Sequence, residues 1–113
     1  MPKLTVQVQP ELAPALDFDA LADLFSDAAD VADAELSISA GEDDGPFVNY
    51  DFLATNLGRL WDILKDEVIG DSAQGALIAN ASIVLCEGKR GWDDYLLLHH
   101  YDRSEKLDWL SPD

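Results

Sequence analysis

The chain has 113 residues, enough for one domain with one core, and 48% of them are hydrophobic, a normal share for a globular protein that argues against disorder. Twenty-three acids against seven bases give a formal net charge of −16. Such a charge is repelled by nucleic acid and by anionic membrane surfaces, so neither is expected as a partner, and it favours cations or proteins with basic surfaces. Cys86 is the single cysteine, which excludes an internal disulfide and a cysteine-rich zinc site. No apolar run approaches the length of a membrane span, and the opening Met1-Pro2-Lys3-Leu4-Thr5-Val6 lacks the apolar stretch of a signal peptide, so the expected location is cytoplasmic.

In chain order, Leu4, Val6 and Val8 alternate with Thr5, Gln7 and Gln9, the period of a half-buried strand. Pro10 and Pro14 punctuate a loop, after which Asp17 or Asp19 can cap a helix over residues 18–32. Phe18, Leu21, Leu24, Phe25, Ala28 and Val31 form its apolar side. Asp19, Asp23, Asp27 and Asp30 fall within an arc of about 80° on the other side, with Asp33 at the margin. Leu36, Ile38 and Ala40 alternate with Glu35, Ser37 and Ser39 as a second strand, closed by a turn at Gly41-Glu42-Asp43-Asp44-Gly45-Pro46. Residues 47–52 read as a short strand or an irregular lead-in to a second helix over 53–68, whose apolar face is Leu57, Leu60, Trp61, Leu64 and Val68, with Gly70 as a terminator.

The last third reads as sheet. Residues 71–74 look like a loop and 76–79 like a short strand. Residues 82–86 are a firmer strand, joined by a turn at Gly88-Lys89-Arg90-Gly91 to residues 95–101. That last run is apolar on both faces, the pattern of a central covered strand, and Leu107-Asp108-Trp109-Leu110-Ser111-Pro112 is apolar enough to dock back on the body. The order implies one α+β domain over residues 1–113, with a single antiparallel or mixed sheet of four to five strands and two helices packed on one face.

Chemistry-bearing constellations are scarce. His99 and His100 are neighbours on a strand and point to opposite faces, a poor arrangement for a shared metal, so no metal or other cofactor is expected. Cys86 beside a histidine of the same hairpin is the one nucleophile pairing to weigh, and nothing around it marks an activated thiol. Gly41 and Gly45 are flanked by acids that repel phosphate, and Glu42-Asp43-Asp44-Gly45 lacks the helices and terminal glutamate of a calcium loop. No catalytic residues are assigned, and an enzyme is the minority reading. The acids are more telling. Between Lys3 and Arg59 there is no Lys or Arg, and that stretch holds twelve Asp and Glu; the other eleven are mixed with six bases downstream.

Two resemblances to known inhibitors are present. Ser72-Ala73-Gln74-Gly75-Ala76-Leu77, Asp93-Asp94-Tyr95-Leu96-Leu97-Leu98 and Leu107-Asp108-Trp109-Leu110-Ser111-Pro112 resemble the closing half of the seventh catalogued family of bacterial polymorphic-toxin immunity proteins. Members of that family carry a Ser-x-Gly-Leu-like segment, a late strand and an Asp-x-x-Leu-Ser-Pro close. Asn56-Leu57-Gly58-Arg59-Leu60-Trp61-Asp62-Ile63-Leu64 is similar to the binding helix of barstar-type ribonuclease inhibitors, in which the helix and its preceding loop plug a basic active site; here that loop is Tyr50-Asp51-Phe52-Leu53-Ala54-Thr55. The resemblances imply a protein that neutralises a cationic toxin or effector, with a nuclease as one candidate, by covering its basic active site. The expected partner-binding residues are Asp23 and Asp27 on the first helix, Glu42, Asp43 and Asp44 on the turn, and Tyr50 and Asp51 before the second helix. Two alternatives stay open: a small housekeeping α+β protein, enzyme subunit or ligand-binding domain whose acidity reflects solubility or salt adaptation, and a DNA mimic.

Overall fold

Period-two alternation places the centre of the sheet. In the computed structural model, which describes residues 2–42, 45–69, 73–88, 91–102 and 104–108, β1 (Lys3–Val8) buries Leu4, Val6 and Val8 completely and turns Lys3, Thr5 and Gln7 the other way. β1 pairs antiparallel with both β3 (Pro46–Leu53) and β4 (Ser82–Gly88). The five strands run in the order β2-β3-β1-β4-β5, with β2 (Glu35–Glu42) and β5 (Gly91–His100) at the two edges and every neighbouring pair antiparallel. The expected α+β architecture is present.

The helices cover one face. α1 (Phe18–Val31) lays the Phe25 ring on Tyr50, centroids 4.3 Å apart, and against Phe52 at 5.7 Å. Register places Tyr50 opposite Val6 and Phe52 opposite Leu4, so these side chains share the buried side. α2 (Leu57–Glu67) adds Leu57, Leu60, Trp61 and Leu64 to the same core, and Ile78 from the short α3 (Ala73–Ala79) completes it. A single 3-10 turn, Pro10–Leu12, bridges β1 and α1. The other face of the sheet, which carries Thr5, Gln7, Asn49, Asp51, Ile83 and Leu85, is only partly covered.

Local signals fix the helix ends. Asp17, not Asp19, caps α1, its carboxylate accepting from the Asp19 and Ala20 N–H groups at 3.1 and 3.2 Å. At the other end Ala34 N–H donates to the Ala29 carbonyl at 2.8 Å and Asp33 N–H to Asp30 at 3.3 Å, a Schellman closure with Asp33 at φ 55. Asn56 caps α2 by accepting from Arg59 N–H at 3.0 Å. That cap moves the start of α2 beyond the expected residue 53: Leu53 belongs to β3, opposite both Lys3 and Glu35. Gly70, the expected terminator, lies outside the described residues.

Three further expectations are corrected. Residues 76–79 are helical, within α3, because an alanine-rich run with Gly75 and Ile78 buried three positions apart suits a helix turn; a short apolar run carries no period that separates the two states. β5 is an edge strand rather than the central one. Its apolar residues divide between the core, where Leu98 is buried, and the open face, where Tyr95 remains 56% exposed. Val31, placed on the apolar side of α1 by spacing, is 58% exposed because it is the last residue of the helix. Residues 47–52 are regular strand, and their hairpin with β2 relies on Gly41 and Gly45. A Cβ at Gly41 would overlap the Phe47 ring at 2.6 Å, and Gly45 sits at φ 130. The tail reaches β5 at Asp108, whose N–H donates to Leu97 C=O at 2.7 Å; residues 109–113 lie outside the described residues.

The left-handed Asp33 gives a direct test. Asp33→Gly removes Cβ strain at the Schellman position and a carboxylate from the negative end of the helix dipole, so it should stabilise the protein by about 0.5–1 kcal/mol in urea denaturation. A loss of stability would show that the Asp33 side chain holds the α1–β2 connection.

Candidate functional site

The outer side of α1 is a row of carboxylates. Asp19, Asp23, Asp27 and Asp30 are all exposed, and among the described residues none has an ion-pair partner. The described ion pair is on α2, Lys65 to Asp62 at 3.3 Å. The helix carries no base in its last turn, so Asp30 sits at the end where the macrodipole is already negative. Arg59 answers part of this from α2, donating from Nη2 to the Val31 carbonyl at 3.1 Å. β2 carries Glu35 and Glu42, both exposed, at its two ends, Glu35 on the open face of the sheet. Like charges three or four positions apart cost about 0.2–0.5 kcal/mol per pair. Burying Leu21 and Phe25 on the opposite side contributes about 1.5–3 kcal/mol each, which outweighs that repulsion.

The expected partner-binding residues do not form one patch. Asp23 and Asp27 are exposed side by side on α1, and Glu42 is exposed at the end of β2. Tyr50 is corrected to a core residue: it faces the helices from β3, is 2% exposed and stacks on Phe25, so it supports the surface without presenting one. Burial also pushes its hydroxyl pKa up. Asp51, one residue later, points to the opposite face of the sheet, where it accepts from Thr5 Oγ1 at 2.6 Å. Asp43 and Asp44 lie outside the described residues. Asp19 and Asp30 belong to the α1 row as fully as Asp23 and Asp27, the residues chosen from sequence. The base-free stretch contained them, and only the fold shows which of its acids share a side.

The barstar-like segment is accounted for by packing. Leu57, Leu60, Trp61 and Leu64 are buried, Asn56 is spent on the cap, and Asp62 is held by Lys65.

The histidines and the cysteine occupy separate environments. His99 is on the helix side, with Nε2 2.8 Å from the Ala79 carbonyl, while His100 Nδ1 accepts from Asp102 N–H at 2.9 Å. Asp102 in turn accepts from Ser104 N–H and Oγ, and these bonds, more than the nearby His100, lower its pKa. Among the described residues no three His, Cys, Asp or Glu side chains gather as a metal site would require. Leu96, not a histidine, stands opposite Cys86 in the β4–β5 ladder. Cys86 is completely buried and its thiol is pushed up to about 11, by burial first and then by Asp108 and Glu87. A shallow concavity of about 520 Å³ lies on the open face, lined by Ile83, Leu85, Tyr95, Leu97, His100 and Glu105. Among the described residues no helix is long and apolar enough to cross a membrane.

Compared with protein-family models, with curated proteins and with solved structures, the chain matches none.

Two tests follow from this geometry. Asp27→Lys places a base four residues after Asp23 and three before Asp30, so it should raise stability by about 0.5–1 kcal/mol at low salt, with the gain shrinking in high salt. A destabilised variant would mean that Asp27 has a structural partner. Cys86 should resist alkylation below pH 9 until urea unfolds the protein. Between its ordinary value of 9.0 and about 11 the unfolded thiol ionises while the folded one stays protonated. Its contribution to stability, measured against Cys86→Ala, should therefore be intact below pH 9 and fall as pH rises from 9 to 11.

Proposed function

We propose that this chain is an inhibitor of the immunity-protein kind, which binds a cationic protein partner through the acidic outer face of α1 and so covers the partner's basic surface. The observation that carries this reading is the exposed row Asp19, Asp23, Asp27 and Asp30, set in a stretch without a single base between Lys3 and Arg59. Carboxylates kept together at a local energetic disadvantage, with no ion-pair partner among the described residues, complement a surface rich in Lys and Arg. Opposite fields steer such partners together at rates up to about 10⁸–10⁹ M⁻¹s⁻¹ at low ionic strength. Affinity then rests on the few groups that lose their water on contact, since charges at the rim add little. The similarity of the C-terminal segments to an immunity family supports a toxin as the partner, and the acidity supports a toxin with a basic cleft, such as a nuclease.

The second reading, a housekeeping ligand-binding domain with a solubilising charge, draws its support from the concavity on the open face beside Tyr95 and His100. It places function on the opposite side of the sheet from α1.

Co-expression separates the two. Growth of a bacterial host poisoned by a toxin domain encoded beside this gene should be restored by the chain. Rescue should be lost when Asp19, Asp23, Asp27 and Asp30 are all changed to Asn, although that variant folds at least as stably. Association with the toxin should slow steeply as salt is added. Rescue that survives the four substitutions, or association indifferent to salt, would remove α1 from the interface. A gene neighbourhood without a toxin would favour the second reading.

A further inference from the structure

The two edges of the sheet are finished differently. On β5 the outer side is occupied by the chain itself: the Asp108 carboxylate accepts from Leu97 N–H at 2.9 Å and Asp108 N–H donates to Leu97 C=O at 2.7 Å. On β2 no described residue reaches the outer side. Its register with β3 is unbroken from Glu35↔Leu53 to Glu42↔Pro46, and it contains no Lys, no Pro and no bulge, the usual devices that blunt an edge.

The direction of its free backbone groups follows from the ladder. Ala54 N–H donates to Pro2 C=O, which makes residues 2 and 54 a bonded pair across β1 and β3. Antiparallel bonding alternates, so Phe52, Tyr50 and Val48 bond to β1 and Leu53, Asp51, Asn49 and Phe47 bond to β2. Ser37 and Ser39 therefore spend their N–H and C=O groups on β3, whereas Leu36, Ile38, Ala40 and Glu42 direct theirs outward. Ile38 is 51% exposed on the helix side, the side on which Val31 also stands exposed at the end of α1.

Charge selects the occupant. A second copy of this chain, paired antiparallel through the outward groups of β2 with Ile38 opposite Ile38, would bring together two bodies of net charge −16. An extended segment with Lys or Arg at alternate positions meets the reverse situation: its apolar residues face Ile38 on the helix side and its cations fall on the open face, the side of Glu35. We propose that β2 is a docking edge that takes an extended, cation-rich segment of a partner protein as a sixth strand, with an apolar side chain of that segment over Ile38. This rests on the reading of a basic partner and names how that partner is held.

The test uses a synthetic peptide of alternating Lys and Val, as long as β2, and the same peptide N-methylated on its pairing edge, which keeps the charge and removes strand pairing. Amide exchange is followed residue by residue. The plain peptide should slow exchange at Ile38 and Ala40 by about tenfold or more while Ser37 and Ser39, already bonded to β3, change little. The N-methylated peptide should leave Ile38 and Ala40 unprotected. Ala40→Pro removes an outward N–H without breaking the β3 ladder, so it should keep the fold and abolish the protection. Binding of both peptides along α1 with no protection in β2 overturns strand addition and leaves the basic-partner reading intact. Failure of both peptides to bind at low salt overturns both readings. Protection of Ile38 and Ala40 that grows with protein concentration and needs no peptide assigns the edge to a second copy instead and overturns the proposal.

Discussion

The structure depends on the packing of Phe25, stacked on Tyr50 and tilted against Phe52. These rings join α1 to β3, and through the pairing of β3 with β1 they reach Leu4 and Val6 at the centre of the sheet. Aromatic rings dominate the area a small core can bury, and a domain of this size has little to spare. Once the Phe25 side of α1 is committed to the sheet, helical geometry turns Asp19, Asp23, Asp27 and Asp30 away from it. The acidic surface is thus the far side of the packing that holds the protein together, and removing its charges leaves that packing untouched.

Charge and stability pull against each other at the end of α1. Asp30 and Asp33 lie where the helix dipole disfavours them, Asp33 occupies a left-handed conformation better suited to glycine, and Arg59 relieves the end carbonyl from a neighbouring helix. The same economy appears in the sheet. The net charge of −16 opposes self-pairing of β2 without a proline or a bulge, leaving the backbone of Leu36, Ile38 and Ala40 open outward. β5, rich in apolar residues, is instead closed by Asp108. An edge guarded only by like charge is closed to copies of itself and open to an opposite charge.

Groups with chemical potential are held in quiet surroundings. Cys86 is buried with its thiol disfavoured from ionising, and His99 and His100 are spent on separate hydrogen bonds on opposite sides of β5. Surface features with room for a partner among the described residues include the acidic outer face of α1, the β2 edge and, across the sheet, the apolar concavity beside Tyr95.

The amino-acid sequence by itself determined what local periodicity encodes. The alternation of Leu4, Val6 and Val8, the apolar spacing of α1, a capping aspartate at 17 or 19 and the glycine-marked hairpins are each specified within a few residues, and so is the clustering of acids on one side of α1. Tertiary structure decided everything that needs a partner from elsewhere in the chain. The apolar pattern of residues 95–101 could not reveal that this strand sits at an edge, because strand order is set by pairing and not by composition. A short apolar run could not separate strand from helix at α3. Tyr50 and Asp51, adjacent and equally plausible as contacts, were divided by the pleat into a core ring and an open-face carboxylate. The open side of β2 likewise exists only because β3 takes one half of its hydrogen bonds and no described residue takes the other.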